Sequence, residues 1–191
     1  KFKDIDVFEL WNKFDSVSVG ASLDAEGPRA ELMRKGTKWE ETIANRKRMM
    51  EVCPQVDFYI SSTVGLTNSL HVCDFHKSWV EQGLIKPQDF NFNLLQHPIW
   101  QRMDILPPEH KQRVKERYEE HFVWLKNQDP LTRATKGFES ALDWMFKTDN
   151  QKHLELFFAN TKRYDEIRNE NTIEVFPEWK ELFDKYDKNK T

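Results

Sequence analysis

Ser16-Val17-Ser18-Val19-Gly20-Ala21-Ser22-Leu23-Asp24 reads as a β-strand that ends in a small hydroxyl and a carboxylate, and Arg34-Lys35-Gly36 follows it. Side chains alternate along a strand. Val17, Val19, Ala21 and Leu23 therefore form one face, and Ser18, Gly20, Ser22 and Asp24 the other. Parallel sheets bind ligands at the carboxyl ends of their strands, so this segment points to a binding pocket.

The same alternation recurs twice. Between Val56 and Val64, Phe58, Ile60 and Val64 oppose Tyr59, Ser61 and Thr63. Between Phe90 and Gln96, Phe90, Phe92 and Leu94 oppose Asn91, Asn93 and Leu95. Helical patterns lie around and between these runs. Asp4 to Phe14 is one. Thr37 to Val52 is the next, with Thr37 and Glu40 spaced as a capping box and Trp39, Ile43 and Met50 on one face. Asn68 caps a third, which runs through Leu70, Phe75 and Trp79 and stops at Gly83. Strand and helix alternating at intervals of roughly 35 residues predict βαβ units and a parallel sheet.

After Pro98 the pattern becomes helical. Pro107-Pro108 open a long helix with Val114, Tyr118, His121, Phe122 and Leu125 on one face. Phe138, Ala141, Leu142, Met145 and Phe146 mark a second helix; Leu154, Phe157, Phe158, Thr161 and Ile167 mark a third. Pro177 precedes an amphipathic end, Trp179 to Tyr186. The expected architecture is α/β: three βα units over residues 1–98, then an all-helical extension over 99–191. Three strands are few for a parallel sheet, which implies a partial barrel or further strands elsewhere. The apolar faces are expected to pack on the crossover helices. The small hydrogen-bonding faces then line a wet cavity for a polar ligand. The alternative is an open sheet with one solvated face.

The net charge is −3, from 29 basic and 32 acidic residues, which gives no general attraction to nucleic acid or anionic membrane. Hydrophobic residues make up 38% of the chain and aromatics 13%, enough for a core and unlike a disordered composition. No apolar run approaches the roughly 20 residues of a membrane span, and no secretory signal opens the chain. A cytoplasmic protein is expected. Cys53 and Cys73 make no disulfide framework.

Ser22-Leu23-Asp24, Arg34 twelve positions after Ser22, then Gly36 and Trp39, resemble the middle of a radical S-adenosylmethionine (radical SAM) enzyme, of the group with a SPASM or shortened twitch extension. Val56-Asp57-Phe58-Tyr59-Ile60-Ser61-Ser62-Thr63-Val64 is similar to the next strand of that family, and Phe92-Asn93-Leu94-Leu95-Gln96-His97-Pro98 to the one after. Tyr164-Asp165-Glu166-Ile167-Arg168-Asn169-Glu170 and Phe176-Pro177-Glu178 resemble the C-terminal end of twitch-type members. The resemblance implies a partial (β/α)6 TIM-like barrel with S-adenosylmethionine at the strand ends. It implies that Ser22 bonds the ribose or methionine carboxylate and that Arg34 pairs with that carboxylate. Asp24 would orient Ser22 or the ribose, and Leu95 would sit near the adenine. Ser61, Thr63 and Asn93 would line the cavity.

The family holds a [4Fe–4S] cluster on a Cys-x3-Cys-x2-Cys run, and thiolates are what such a cluster requires. This sequence has no such run. The resemblance therefore implies cluster ligands outside this chain, a missing N-terminal half of the barrel, and a first residue that lies mid-protein. The chain alone is then expected to be inactive. Its substrate is unknown, a peptide being the class that related extensions suggest. The rival classes are a non-catalytic half-barrel binding or scaffold protein, and a half-barrel hydrolase or aldolase that uses His97 at a strand end. His71, Cys73 and His76 make a poor zinc set without a fourth ligand and read as structural. Arg113, Lys115, Glu116, Arg117, Glu119 and Glu120 read as a solvated helix face.

Overall fold

The strands Ser18–Ala21 (β1), Asp57–Val64 (β2) and Phe90–Leu94 (β3) pair in parallel, in chain order, in the computed structural model, which describes residues 5–129 and 132–188. Val7–Trp11 (α1) precedes the sheet. Pro28–Met33 (α2) and Trp39–Val52 (α3) link β1 to β2, and Val72–Glu81 (α4) links β2 to β3. Pro108–Leu125 (α5), Arg133–Lys147 (α6), Leu154–Arg168 (α7), Thr172–Val175 (α8) and Lys180–Lys188 (α9) follow. The chain is thus a mixed α/β structure.

Both crossovers cover the same face of the sheet. Arg46 of α3 lies 4.0 Å above the Phe58 ring. Phe75 of α4 meets Phe90 edge-on at 5.7 Å, and Phe90 stands opposite Ile60 in the ladder. Trp39 of α3 closes the row against Trp79 of α4 at 5.8 Å. The helical half completes this layer: Phe138 of α6 lies 4.9 Å from Phe92 and 5.0 Å from Tyr118 of α5. Apolar residues from both spans, 1–98 and 99–191, join one hydrophobic cluster. Truncating a fully buried ring such as Phe138 to Ala costs about 3–5 kcal/mol. On the opposite face Ser18, Gly20, Asn91 and Asn93 are exposed. The apolar faces pack on the crossover helices as expected, while the polar face is exposed along β1 and β3 and half-buried at Tyr59, Ser61 and Thr63 of β2.

Several local expectations are corrected. The first helix is only Val7–Trp11, and Asp6 caps it by accepting from the Phe8 N–H at 3.1 Å. Thr37 and Glu40 form no capping box. The next helix begins at Trp39, whose N–H donates to Glu31 Oε1 at 2.8 Å, so the carboxylate of α2 supplies the cap. The periodicity did not reveal α2 itself, a six-residue helix opened by Pro28. Asn68 does not cap α4, which starts at Val72. Its amide turns inward to the strand ends instead. Gly83 does end α4: at φ +69° it lets the Leu84 N–H reach Trp79 O at 2.9 Å. Phe146 and Ile167, expected on core faces, are exposed. Trp179, Leu182, Phe183 and Tyr186 are buried, as the amphipathic end required. No helix of the described residues is long and apolar enough to cross a membrane.

Candidate functional site

Asp24 lies just past the end of β1, after Ser22 and Leu23, and is buried, and three segments converge on it. Its Oδ1 accepts from the Thr63 N–H at 2.7 Å, at the end of β2. Arg34, the residue that ends α2, donates to it twice: Nε to Oδ2 at 2.7 Å and Nη2 to Oδ1 at 3.2 Å. Asn68 Nδ2 donates to the Asp24 carbonyl at 2.8 Å and to Thr63 O at 3.1 Å, while its Oδ1 accepts from the Gly65 N–H at 2.9 Å. Buried backbone groups in a loop need such partners. The two side chains, Asp24 and Asn68, therefore lock the carboxyl ends of β1 and β2 together. The Arg34 side chain remains 40% exposed, and its Nη1 has no partner among the described residues.

A cleft of about 220 Å³ opens beside this junction. Asp24, Thr63 and Leu95 line it from the strand ends, Gln101 from the loop after β3, and Thr161 and Asp165 from α7. Leu32, Met33 and Phe157 supply apolar wall. Thr161 is 8% exposed, and its hydroxyl has no hydrogen-bond partner among the described residues. Asp165 is held in place: Oδ1 accepts from Thr172 Oγ1 at 2.7 Å and Oδ2 from the Thr172 N–H at 3.0 Å. Glu170 at the rim pairs with Lys35, and Arg168 Nη1 stands 4.0 Å from its other oxygen.

The residues singled out from the sequence fall into two groups. Asp24, Thr63 and Leu95 meet at the cleft, and Arg34 joins them through Asp24. Ser61 and Asn93 lie on the polar face of the sheet, where Asn93 Nδ2 donates to Ser61 Oγ at 3.0 Å. Ser22 is exposed and does not line the cleft. His97 is exposed in the loop after β3, joined by a cis bond to Pro98, and is not a cleft residue either.

His71, Cys73 and His76 point to different neighbourhoods. His76 is buried between Pro87 O, at 2.9 Å, and His121, at 3.0 Å. His71 packs edge-on against Phe176, and the Cys73 thiol faces Arg117 O at 3.9 Å. Both cysteines are buried, and burial pushes both thiols above their usual range. No group of three metal-ligating side chains occurs among the described residues. Two separated, buried thiols do not fit an iron–sulfur cluster. The expected solvated helix face is also partly engaged: Arg117 pairs with Asp74 and Glu120, and Arg113 donates to Glu178 O.

Sequence reasoning missed Gln101, Thr161 and Asp165 as cleft residues. Thr161 is the single hydroxyl among the apolar residues Leu154, Phe157, Phe158 and Ile167 that mark this helix in the sequence, and that is the signal it offers. Comparison with protein-family models, with curated proteins and with solved structures gives no match.

Proposed function

We propose that this chain is the C-terminal portion of a radical SAM enzyme, forming one wall of its partial (β/α)6 barrel. The observation that carries this reading is the Arg34 guanidinium, fixed at the strand ends by the buried Asp24 carboxylate with its Nη1 edge free. A pre-oriented guanidinium loses little entropy on taking up a carboxylate, and its planar fork suits that group. Sequential parallel strands with both crossover helices on one face, and small polar residues on the other, agree with a barrel wall.

In this reading Arg34 holds the methionine carboxylate of S-adenosylmethionine, and Ser22 offers a hydroxyl to the ribose or carboxylate. Asp24 keeps Arg34 in position. Leu95 gives the adenine an apolar contact, and Ser61, Thr63 and Asn93 line the cavity with hydrogen-bonding groups. When bound to a reduced cluster, S-adenosylmethionine supplies a 5′-deoxyadenosyl radical for hydrogen abstraction. The two buried cysteines here do not fit that cluster, so the proposal assigns its ligation to residues outside this chain.

Anaerobic reconstitution of the full-length protein with iron and sulfide tests the reading. The expected result is [4Fe–4S] absorbance and release of 5′-deoxyadenosine, both retained in His97→Ala and the second strongly reduced in Arg34→Ala. Absence of both signals overturns it. The second reading, a non-catalytic binding protein, is favoured by one observation: Asp24 already occupies two donors of Arg34. It requires a coding sequence that lacks the cysteine triplet upstream of Lys1.

A further inference from the structure

Among the described residues, Asp165 is the carboxylate of the cleft with no ion-pair partner. Asp24 has Arg34, in a two-point pair at 2.7 and 3.2 Å. Glu170 has Lys35, with Arg168 also nearby. The hydrogen-bond partners of the Asp165 carboxylate among the described residues are the Thr172 N–H and hydroxyl, which orient it but bring no countercharge; Arg168 lines the same cleft and has its contact, at 4.0 Å, with Glu170. A half-buried carboxylate in that position favours a cationic ligand over a neutral or anionic one.

A second feature of the same cleft is independent of that charge. Thr161, one turn before Asp165 on α7, lines the cleft with a hydroxyl that has no partner among the described residues, although the residue is 8% exposed. The hydroxyl is not sealed from solvent, so a ligand that bonds it in the cleft replaces water there. Residues four apart on a helix are neighbours on its surface, so Thr161 and Asp165 act together. Leu32, Met33, Leu95 and Phe157 line the same cleft with apolar surface. The volume, about 220 Å³, lies below the range of roughly 300–1,000 Å³ typical of drug-sized ligands.

We infer that this cleft binds a primary ammonium group on a short alkyl stem, with Asp165 taking the charge, Thr161 accepting one N–H and the apolar wall covering the stem. The ammonium comes either from a lysine side chain of a peptide or from a free alkyl diamine. The inference rests on the proposed function only where it makes this ligand a substrate. The binding itself needs neither cluster nor S-adenosylmethionine.

The test is calorimetric titration of the protein with N-acetyl-Gly-Lys-Gly-amide, with the same peptide acetylated on the lysine, and with cadaverine. Saturable binding of the free-amine peptide or of cadaverine is expected, the tighter of the two identifying the source, with at least tenfold weaker binding of the acetylated peptide. Asp165→Asn keeps the shape and removes the charge, and should weaken binding at least tenfold. Thr161→Val loses only the hydroxyl, leaves the Asp165–Thr172 contact intact, and should weaken binding several-fold. Circular dichroism checks that both variants fold. No saturable binding of either amine, equal affinity for the acetylated peptide, or an unchanged affinity in a folded Thr161→Val overturns the inference. Amine binding without 5′-deoxyadenosine formation in the full-length enzyme upholds this site and removes the radical reading. Radical chemistry without amine binding does the reverse.

Discussion

Asp24 and Arg34 meet with both carboxylate oxygens engaged, Nε to Oδ2 at 2.7 Å and Nη2 to Oδ1 at 3.2 Å, although only the aspartate is buried. That asymmetry sets an order of effects. Asp24→Ala removes the acceptor of the Thr63 N–H as well as the partner of Arg34, and leaves an amide at the end of β2 unpaired. It should destabilise the fold by about 2–4 kcal/mol. Arg34→Ala exposes a carboxylate that still holds Thr63 and gains water, and should cost about 1 kcal/mol. Urea denaturation of both variants checks this. Equal losses would mean that Asp24 serves only as the arginine's counter-charge.

The His76–His121 contact gives the fold a pH dependence. Pro87 O accepts from His76 Nε2, so His76 Nδ1 is an acceptor and His121 Nε2 carries the proton between them. Both rings are neutral. Burial lowers His76 to about 4; burial, then the neighbouring His76 and the Arg117 and Lys77 charges, lower His121 to about 3. Burial also lowers His71 to about 3. Each folded value lies below the unfolded value of about 6.5, so the unfolded chain takes up protons first as pH falls. Stability should be level above about pH 6.5 and decline below it, by up to about 1.4 kcal/mol per pH unit for each histidine. Glu26, raised by burial, opposes this only near the carboxylate range. Burial lowers His110 as well, so His121→Gln, which keeps the donor, removes one of four depressed rings and should flatten part of the decline between pH 7 and 5. Urea midpoints at pH 5, 6 and 7 measure it. An unchanged slope would show that His121 does not contribute.

Two glycines at the sheet should respond in opposite ways. A Cβ on Gly65 would stand 2.5 Å from the carbonyl oxygen of Gln101, which already accepts from the Leu66 N–H. Backbone cannot step aside, so Gly65→Ala should cost about 1–3 kcal/mol or more. A Cβ on Gly20 would meet the far end of the Tyr59 ring at 2.8 Å on the polar face, where the ring can swing into solvent. Gly20→Ala should be within about 0.5 kcal/mol of neutral. Thermal melts of the two variants side by side test the contrast.

The strands were legible because alternation is a local property. Phe58, Ile60 and Phe90 announced their buried face before any partner was known. The helix starts were not legible where capping came from a distance. Glu31 reaches Trp39 from another helix, and no spacing within α3 records that. Asn68 carried a helix-cap signature, yet the orphan backbone groups of Asp24, Thr63 and Gly65 compete for its amide and win. The site divides along the same line. Asp24 and Arg34 are ten residues apart and readable together. Thr161 and Asp165 reach the cleft only through the packing of α7, more than a hundred residues later.

The polar sheet face and the β1 edge should make this chain associate with itself. The Val17 carbonyl accepts from the Asp57 N–H, and a parallel ladder alternates its direction. The backbone groups of Ser18 and Gly20 are therefore turned away from β2, on an exposed strand, which is a template for pairing with another chain. Ser18 is the place to intervene, since its hydroxyl donates only to Asp57 Oδ2, at 3.2 Å on the surface. Ser18→Lys keeps a contact to that carboxylate and adds a charge to the edge. Sedimentation velocity should show concentration-dependent dimers or larger species in the unmodified chain and a shift toward monomer in the variant. A clean monomer at all concentrations would show that the edge is protected, and would count against a sheet that continues beyond β1.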